Sequence, residues 1–545
     1  MHKLRQFVSR LEPVGLFVGI IFFAFSMTPS LLPRVWYLQG VATGISMATG
    51  YGVGCLLVWV AHCCGIRPNF SPKTRRYGRW GVAATAAVVV PLFLILGSWW
   101  QGIVRQLVDV EDPGRVLYLG VLAVAILIAL LLLAMARGLR WCARYLTTKF
   151  TRIVPLPVAK AVAVGLVALL TLFVINGAVN NVLIAAVSSS SEIADKGNHP
   201  GVEQPMSPEN SGSPESNEAW DTLGMEGRRF VSSGPTAEQI EQFTGEPAPT
   251  PIRVYAGAEG EDSIEATADR VVEELERTGA FDRAVLAVAT TTTGRGWVNE
   301  SVAGSLEYMY GGDTAIASMQ YSFLPSPIAF LADRESPRRA GRALFDRVYD
   351  AVQDRPEEAR PKLVSFGESL GAYGGQDAFG GARDMVARTD GALWVGNPNF
   401  TRQWAEITAD RDAGSREILP IIDDGMYVRF AGRPSDLDLG TPWEQPRVIY
   451  WQHASDPITW WSSSLILHRP DWLREPRGVD VDPGVRWFPF VTFWQTTFDM
   501  VFSTDVPQGY GHNYGEDAVE LWAAILQPDG WTEQDTERLR EIVAG

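Results

Sequence analysis

The first 190 residues hold five long apolar stretches, at roughly 14–32, 40–62, 80–100, 117–136 and 159–187. Each is about as long as the ~20 residues a helix needs to cross the hydrocarbon core of a bilayer. The run "LYLGVLAVAILIALLLLAMA" (117–136) carries no charge. Five such runs in so short a segment are too many for the buried helices of a soluble domain. The fifth carries Asn176, Asn180 and Asn181 within it, so a crossing is expected to end near residue 176. The first begins with Lys3, Arg5 and Arg10 and continues through "FSMTPSLLPR" without a small-x-small cleavage site. It reads as a retained anchor, not a removable signal.

Charge divides the chain in the same place. Residues 1–190 carry 17 Lys/Arg and 4 Asp/Glu; the remainder carries 30 and 58. The acidic part would repel nucleic-acid phosphates, which excludes that class of partner. All four cysteines (Cys55, Cys63, Cys64, Cys142) lie in the apolar third, so the acidic part holds no disulfide and no cysteine-based metal site. The basic loops are the N-terminus, the segment with Arg67, Lys73, Arg75, Arg76 and Arg79, and the segment with Arg137, Arg140, Arg144, Lys149, Arg152 and Lys160. Basic loops stay cytoplasmic. With five crossings the N-terminus is inside the cell membrane and the C-terminal part is extracytoplasmic.

Three segments follow: a multi-pass transmembrane domain (1–187), a flexible linker (188–220) rich in Ser, Pro, Glu and Gly, and a globular domain (221–545). In the globular domain strand and helix signals alternate. Strands are expected at 252–258, 283–290, 314–323, 361–367, 391–396 and 446–454. Helices are expected at 263–279, 336–354 (capped by Ser336) and 515–526. Apolar strands separated by crossover helices predict a mainly parallel sheet flanked by helices.

The run "PKLVSFGESLGAYGGQDAFGG" places Ser369 at the centre of G-x-S-x-G. A buried strand leads directly into the motif and a small-residue helix follows it. That is the context in which a serine sits on a strained elbow as a nucleophile, with Gly367, Glu368 and Gly371 forming the turn. Such a serine needs a histidine base and an orienting acid. The globular part has only His453, His468 and His512. His512 lies in "GYGHNYGEDAVELW", a glycine-rich loop before the last long helix. Asp456, in "HASDP", follows a strand at the sheet's carboxyl edge; Asp505, Asp423 and Asp424 are its rivals. The Leu370 amide and an amide of the loop at Thr291 and Thr292 are the expected oxyanion donors.

These motifs, together with "SMTPSLLPR", resemble the actinobacterial family of multi-pass membrane proteins with a C-terminal α/β-hydrolase domain. The resemblance implies an α/β-hydrolase fold over roughly 250–545 and a Ser-His-Asp triad, with no particular substrate. Aromatic residues between the acid and the histidine, Trp460, Trp461, Trp487, Phe488 and Trp494, are expected to line an acyl pocket. The expected function is a membrane-anchored serine esterase or acyltransferase acting on an acyl ester, such as an envelope lipid or glycolipid. It requires no metal or organic cofactor. The alternatives are a non-catalytic membrane scaffold or transport accessory, and a serine peptidase or amidase. The partners are the lipid bilayer and the ester; oligomeric state is left open.

Overall fold

The computed structural model describes residues 11–66, 71–111, 118–174, 177, 195–258, 263–325, 328–329 and 333–544. It divides into two compact units. One comprises the described residues within Met1–Asn181 and Trp461–Pro507, the other those within Val182–Trp460 and Gln508–Gly545.

The first unit contains five N-terminal helices: α1 (Pro13–Ser26), α2 (Trp36–Cys63), α3 (Pro72–Leu107), α4 (Tyr118–Phe150) and α5 (Leu156–Phe173). α2 to α5 are each long and apolar enough to cross a membrane. α1 has 14 residues, about 21 Å at ~1.5 Å per residue, which is short of the ~30 Å hydrocarbon core. The first stretch is therefore cut shorter than its apolar length suggests. Residues beyond 177 in the fifth stretch lie outside the described residues up to Asp195. Leu127, Leu131 and Leu169 point outward and exposed, as lipid-facing side chains do.

α1 ends where it does because the following "TPSLLPR" is committed elsewhere. Arg34 Nε donates to Asp499 Oδ1 at 2.6 Å, and both side chains are buried. The Ser30 hydroxyl and the Leu31 amide donate to the same carboxylate, each at 3.1 Å. Arg34 Nη1 reaches Gln39 Oε1 at 2.7 Å. Gln495 Nε2 donates to the Thr28 carbonyl at 3.1 Å. Removing one partner of such a buried pair typically costs about 3–5 kcal/mol, because the other charge is left alone. Asp499 and Gln495 lie on the helix Val491–Asp499, so the segment Trp461–Pro507 is pinned to α1. The sequence placed this segment in the globular domain, whereas here it packs as part of the first unit.

The second unit is built on seven strands: β1 (Ile252–Ala256), β2 (Val285–Thr290), β3 (Thr314–Met319), β4 (Lys362–Glu368), β5 (Gly391–Val395), β6 (Val428–Ala431) and β7 (Arg447–Trp451). They pair in the order β1-β3-β2-β4-β5-β7-β6, and every pairing is parallel. The central strands are buried along their whole length, as expected for a sheet covered by helices on both faces. Because all strands run one way, all their carboxyl ends, and the loops that leave them, share one edge.

Two expectations change. The supposed linker is ordered from Asp195 onward in the described residues. Ser211 N–H donates to the Arg253 carbonyl at 3.0 Å, and Tyr255 N–H donates back to Ser211 Oγ at 3.0 Å, which covers the open edge of β1. The Asn217 amide and the Ser216 hydroxyl bind Glu274 at 2.7 and 2.9 Å. The cap of the helix Glu335–Gln353 is also different. The Ser336 amide donates to Asp333 Oδ1 at 3.1 Å, so Asp333 takes the capping role and Ser336 sits inside the first turn.

Candidate active site

Ser369 follows β4 directly and has φ 55° and ψ −119°. Non-glycine residues rarely adopt positive φ, and such strain at the end of a strand is what aims a side chain outward. The turn is held by close backbone contacts. A Cβ on Gly367 would meet Gly371 C at 2.5 Å, and one on Gly371 would meet the Thr290 carbonyl oxygen at 2.2 Å. The elbow thus lies directly on the end of β2. A Cβ on Gly374 would lie 2.3 Å from the Pro337 carbonyl oxygen, so this glycine admits the helix Glu335–Gln353.

The loops after β7 and before the helix Ala518–Leu526 bring Asp456 and His512 together; that helix is the penultimate one, since Glu533–Ala544 follows it. His512 Nδ1 lies 2.7 Å from Asp456 Oδ2, and both residues are buried. The carboxylate also accepts the Ile458 amide on Oδ1 at 2.8 Å, and on Oδ2 the Thr459 hydroxyl at 3.2 Å and the Tyr514 hydroxyl at 2.8 Å. Facing Nδ1, the Asp456 carboxylate can only accept, so it holds the Nδ1–H tautomer and leaves His512 Nε2 as the basic atom. Nε2 is buried and has no hydrogen-bond partner among the described residues. Gly396, at the end of β5, would strike His512 Cε1 at 2.6 Å if it carried a Cβ. Ser369 N–H donates to the Val395 carbonyl at 2.9 Å, so the turn after β5 joins the serine and the histidine. Burial opposes a charge on His512, but Asp456 and then Glu368 outweigh it and raise its pKa above the usual value.

The Thr292 amide donates to the Trp297 carbonyl at 2.9 Å, and its hydroxyl to the Glu368 carbonyl at 3.0 Å. Gly371 rests against the backbone of Thr290 and Thr291. His453 occupies a structural position: its ring stacks on Tyr514 at 4.2 Å and its Nδ1 binds the Gly511 carbonyl at 2.9 Å. Of the aromatic residues expected to line a pocket, Trp460 is buried in the second unit against Trp404. The others belong to the first unit. There Phe488 stacks on Phe25 at 4.0 Å, Trp461 donates to Thr497 and Trp487 to the Leu465 carbonyl, each at 2.8 Å, and Trp494 packs on Phe493.

Residues 252–539 match the family model described as an alpha/beta-hydrolase family, and residues 27–235 match the model of that family's N-terminus. The chain belongs to this alpha/beta-hydrolase family. No curated protein matches the chain, and no solved structure does. The match at the N-terminus runs from "MTPSLLPR" through the ordered segment after Asp195, so both buried networks described above lie inside family-defined sequence.

Sequence reading of this alpha/beta-hydrolase missed three residues. Asn299 carried no motif signal, and Tyr514 lay inside the run "GYGHNY" without a role of its own. Glu368 was read only as a turn residue. Its carboxylate is buried and accepts from Asn299 Nδ2 at 2.6 Å. Burial pushes its pKa up to about 7, against the lowering influence of His512 and Asn299 and with Asp456 raising it further. The folded state therefore holds this proton more tightly than the unfolded chain. The resulting stability is full below the unfolded glutamate value near 4.5 and is lost as pH rises through about 7. Glu368→Gln, which copies the protonated form, is expected to be more stable than wild type at pH 8, by up to about 3 kcal/mol, and no more stable at pH ~4.5. Thermal unfolding of the detergent-solubilised chain at the two pH values checks this. Equal melting shifts at both would refute it.

Proposed function

We propose that the chain is a membrane-anchored serine hydrolase, an esterase or acyltransferase, with Ser369, His512 and Asp456 as its triad. The supporting observation is the Asp456–His512 hydrogen bond of 2.7 Å with His512 Nε2 left uncommitted, in the same unit as a serine on a positive-φ elbow. Ser369 Oγ attacks the acyl carbonyl while His512 Nε2 takes its proton. The tetrahedral oxyanion faces the Leu370 amide and the Thr291 amide, since the Thr292 amide is spent on Trp297. Collapse expels the alcohol, protonated by His512. Water or a second hydroxyl then attacks the acyl-enzyme by the same route in reverse. Every group needed is a side chain or an amide of this chain. The test is turnover of p-nitrophenyl butyrate by the full-length protein, lost in Ser369→Ala. Turnover of amides in preference to esters would identify a peptidase instead.

The proposed location is the cell membrane, with the hydrolase domain outside. This side does not depend on whether α1 crosses. It requires only that the basic C-terminal end of α4 and the short loop after it, with Arg140, Arg144, Lys149 and Arg152, stay cytoplasmic and that α5 spans. Alkaline phosphatase fused to the C-terminus should be active and a fluorescent-protein fusion dark. The opposite pattern would contradict it.

A further inference from the structure

A cleft of about 180 Å³ opens beside the helix that Ser369 begins. It is smaller than the ~300–1,000 Å³ of sites for drug-sized ligands, which suits a single ring and not a long chain. Tyr373 and Phe400 form its apolar walls and Arg338 its rim. Both of its sides come from segments that leave the elbow edge. Tyr373 N–H donates to the Ser369 carbonyl at 3.0 Å, and the loop carrying Phe400 and Thr401 begins at Gly396, against His512.

Two residues lining the cleft carry a buried polar atom without a partner among the described residues. Thr401 is 1% exposed and Gln403 2% exposed, and among the described residues neither Thr401 Oγ1 nor Gln403 Oε1 has a hydrogen-bond partner. Thr401 is the N-cap residue of the helix Arg402–Ala409, yet its hydroxyl makes no cap bond, although that is where a threonine in this position normally spends it. Gln403 Nε2 donates to the Phe379 carbonyl, which fixes the amide so that Oε1 is the free acceptor. One hydroxyl and one carbonyl oxygen thus await a ligand that donates and accepts. The positive charge is already matched. Arg338 pairs with Asp377 at 3.0 Å and Glu335 at 3.1 Å, Arg342 pairs with Asp377, and Arg402 pairs with Glu406 at 3.5 Å. An acceptor oxygen and neutralised arginines disfavour phosphate or carboxylate.

We propose that this cleft binds a neutral, hydroxyl-rich ring, a sugar or a cyclitol, as the alcohol part of the ester that Ser369 cleaves or forms. The binding claim stands on the cleft; its place in the reaction rests on the reading of Ser369. The test is calorimetric titration of the full-length protein, in a detergent without sugar headgroups, with methyl glucoside, methyl galactoside, methyl mannoside, myo-inositol and inorganic phosphate. At least one of the four neutral ligands should bind at millimolar concentration. Thr401→Val should weaken it about tenfold or more and Thr401→Ser should restore it, with melting temperature recorded for each variant. The proposal fails if no neutral ligand binds up to about 50 mM, if Thr401→Val binds as wild type does, or if phosphate alone binds. Sugar binding needs no reaction at Ser369, so binding without esterase activity would sink the triad reading and leave the site.

Discussion

Asp456→Asn will slow ester turnover by about 10,000-fold with little change in KM. The carboxylate accepts from His512, Tyr514, Thr459 and the Ile458 amide, and an asparagine of the same shape can keep the Ile458 amide on its oxygen while its NH2 donates to His512 and to one hydroxyl that turns to accept. What it cannot keep is the tautomer. An amide NH2 facing Nδ1 makes that nitrogen the acceptor and puts the proton on Nε2, where the base must be empty. The loss should therefore appear in kcat, for p-nitrophenyl butyrate with the detergent-solubilised chain, while melting temperature stays within a few degrees. A loss smaller than tenfold would mean that His512 is not the base or Asp456 not its orienter.

Gly371→Val will prevent the hydrolase unit from folding. Its Cβ would lie 2.2 Å from the Thr290 carbonyl oxygen, and both partners are backbone, in the helix Leu370–Gly375 and at the end of β2. Neither can rotate away, so the helix must leave the sheet. Overpacking a core costs roughly 1–3 kcal/mol even where side chains can adjust, out of a total stability of about 5–15 kcal/mol. Limited proteolysis should show the domain degraded. The matched control is Gly380→Ala, where the nearest atoms would be at 3.8 and 3.9 Å from Asp384, and it should remain resistant. A resistant Gly371→Val domain would contradict the close packing of elbow on strand.

The parts of this architecture that could be read from sequence are those whose signals are local. β1 to β5 and β7 each lie on a mainly apolar run, and their positions follow within a few residues. β6 was missed because it is four residues long and carries the buried Arg429. That side chain is satisfied by the carbonyls of Gly425, Leu437, Thr441 and Pro442, partners that no local pattern announces. The segment 195–220 read as flexible for the same reason. It has few apolar residues, and it is held by hydrogen bonds to Arg253, Tyr255 and Glu274, which lie 40 to 60 positions away in the sequence. The aromatic run between Asp456 and His512 showed that something large is buried there, but composition alone cannot show that Phe488 would find Phe25. The pairing of Asp456 with His512 was legible because histidine is scarce and motif order restricts the choice, and the turn at Ser369 because its glycines are local. Glu368 was hidden in plain view, since a residue inside a motif carries no sign of its own burial.

The central claim is that Ser369 is a nucleophile activated by His512. The most direct measurement is reaction of the full-length, membrane-embedded protein with a fluorophosphonate, followed by peptide mass mapping. A single adduct on Ser369, absent in Ser369→Ala, strongly reduced in His512→Ala and retained in His453→Ala, is the predicted result. Labelling of wild type no stronger than that of Ser369→Ala would contradict the account.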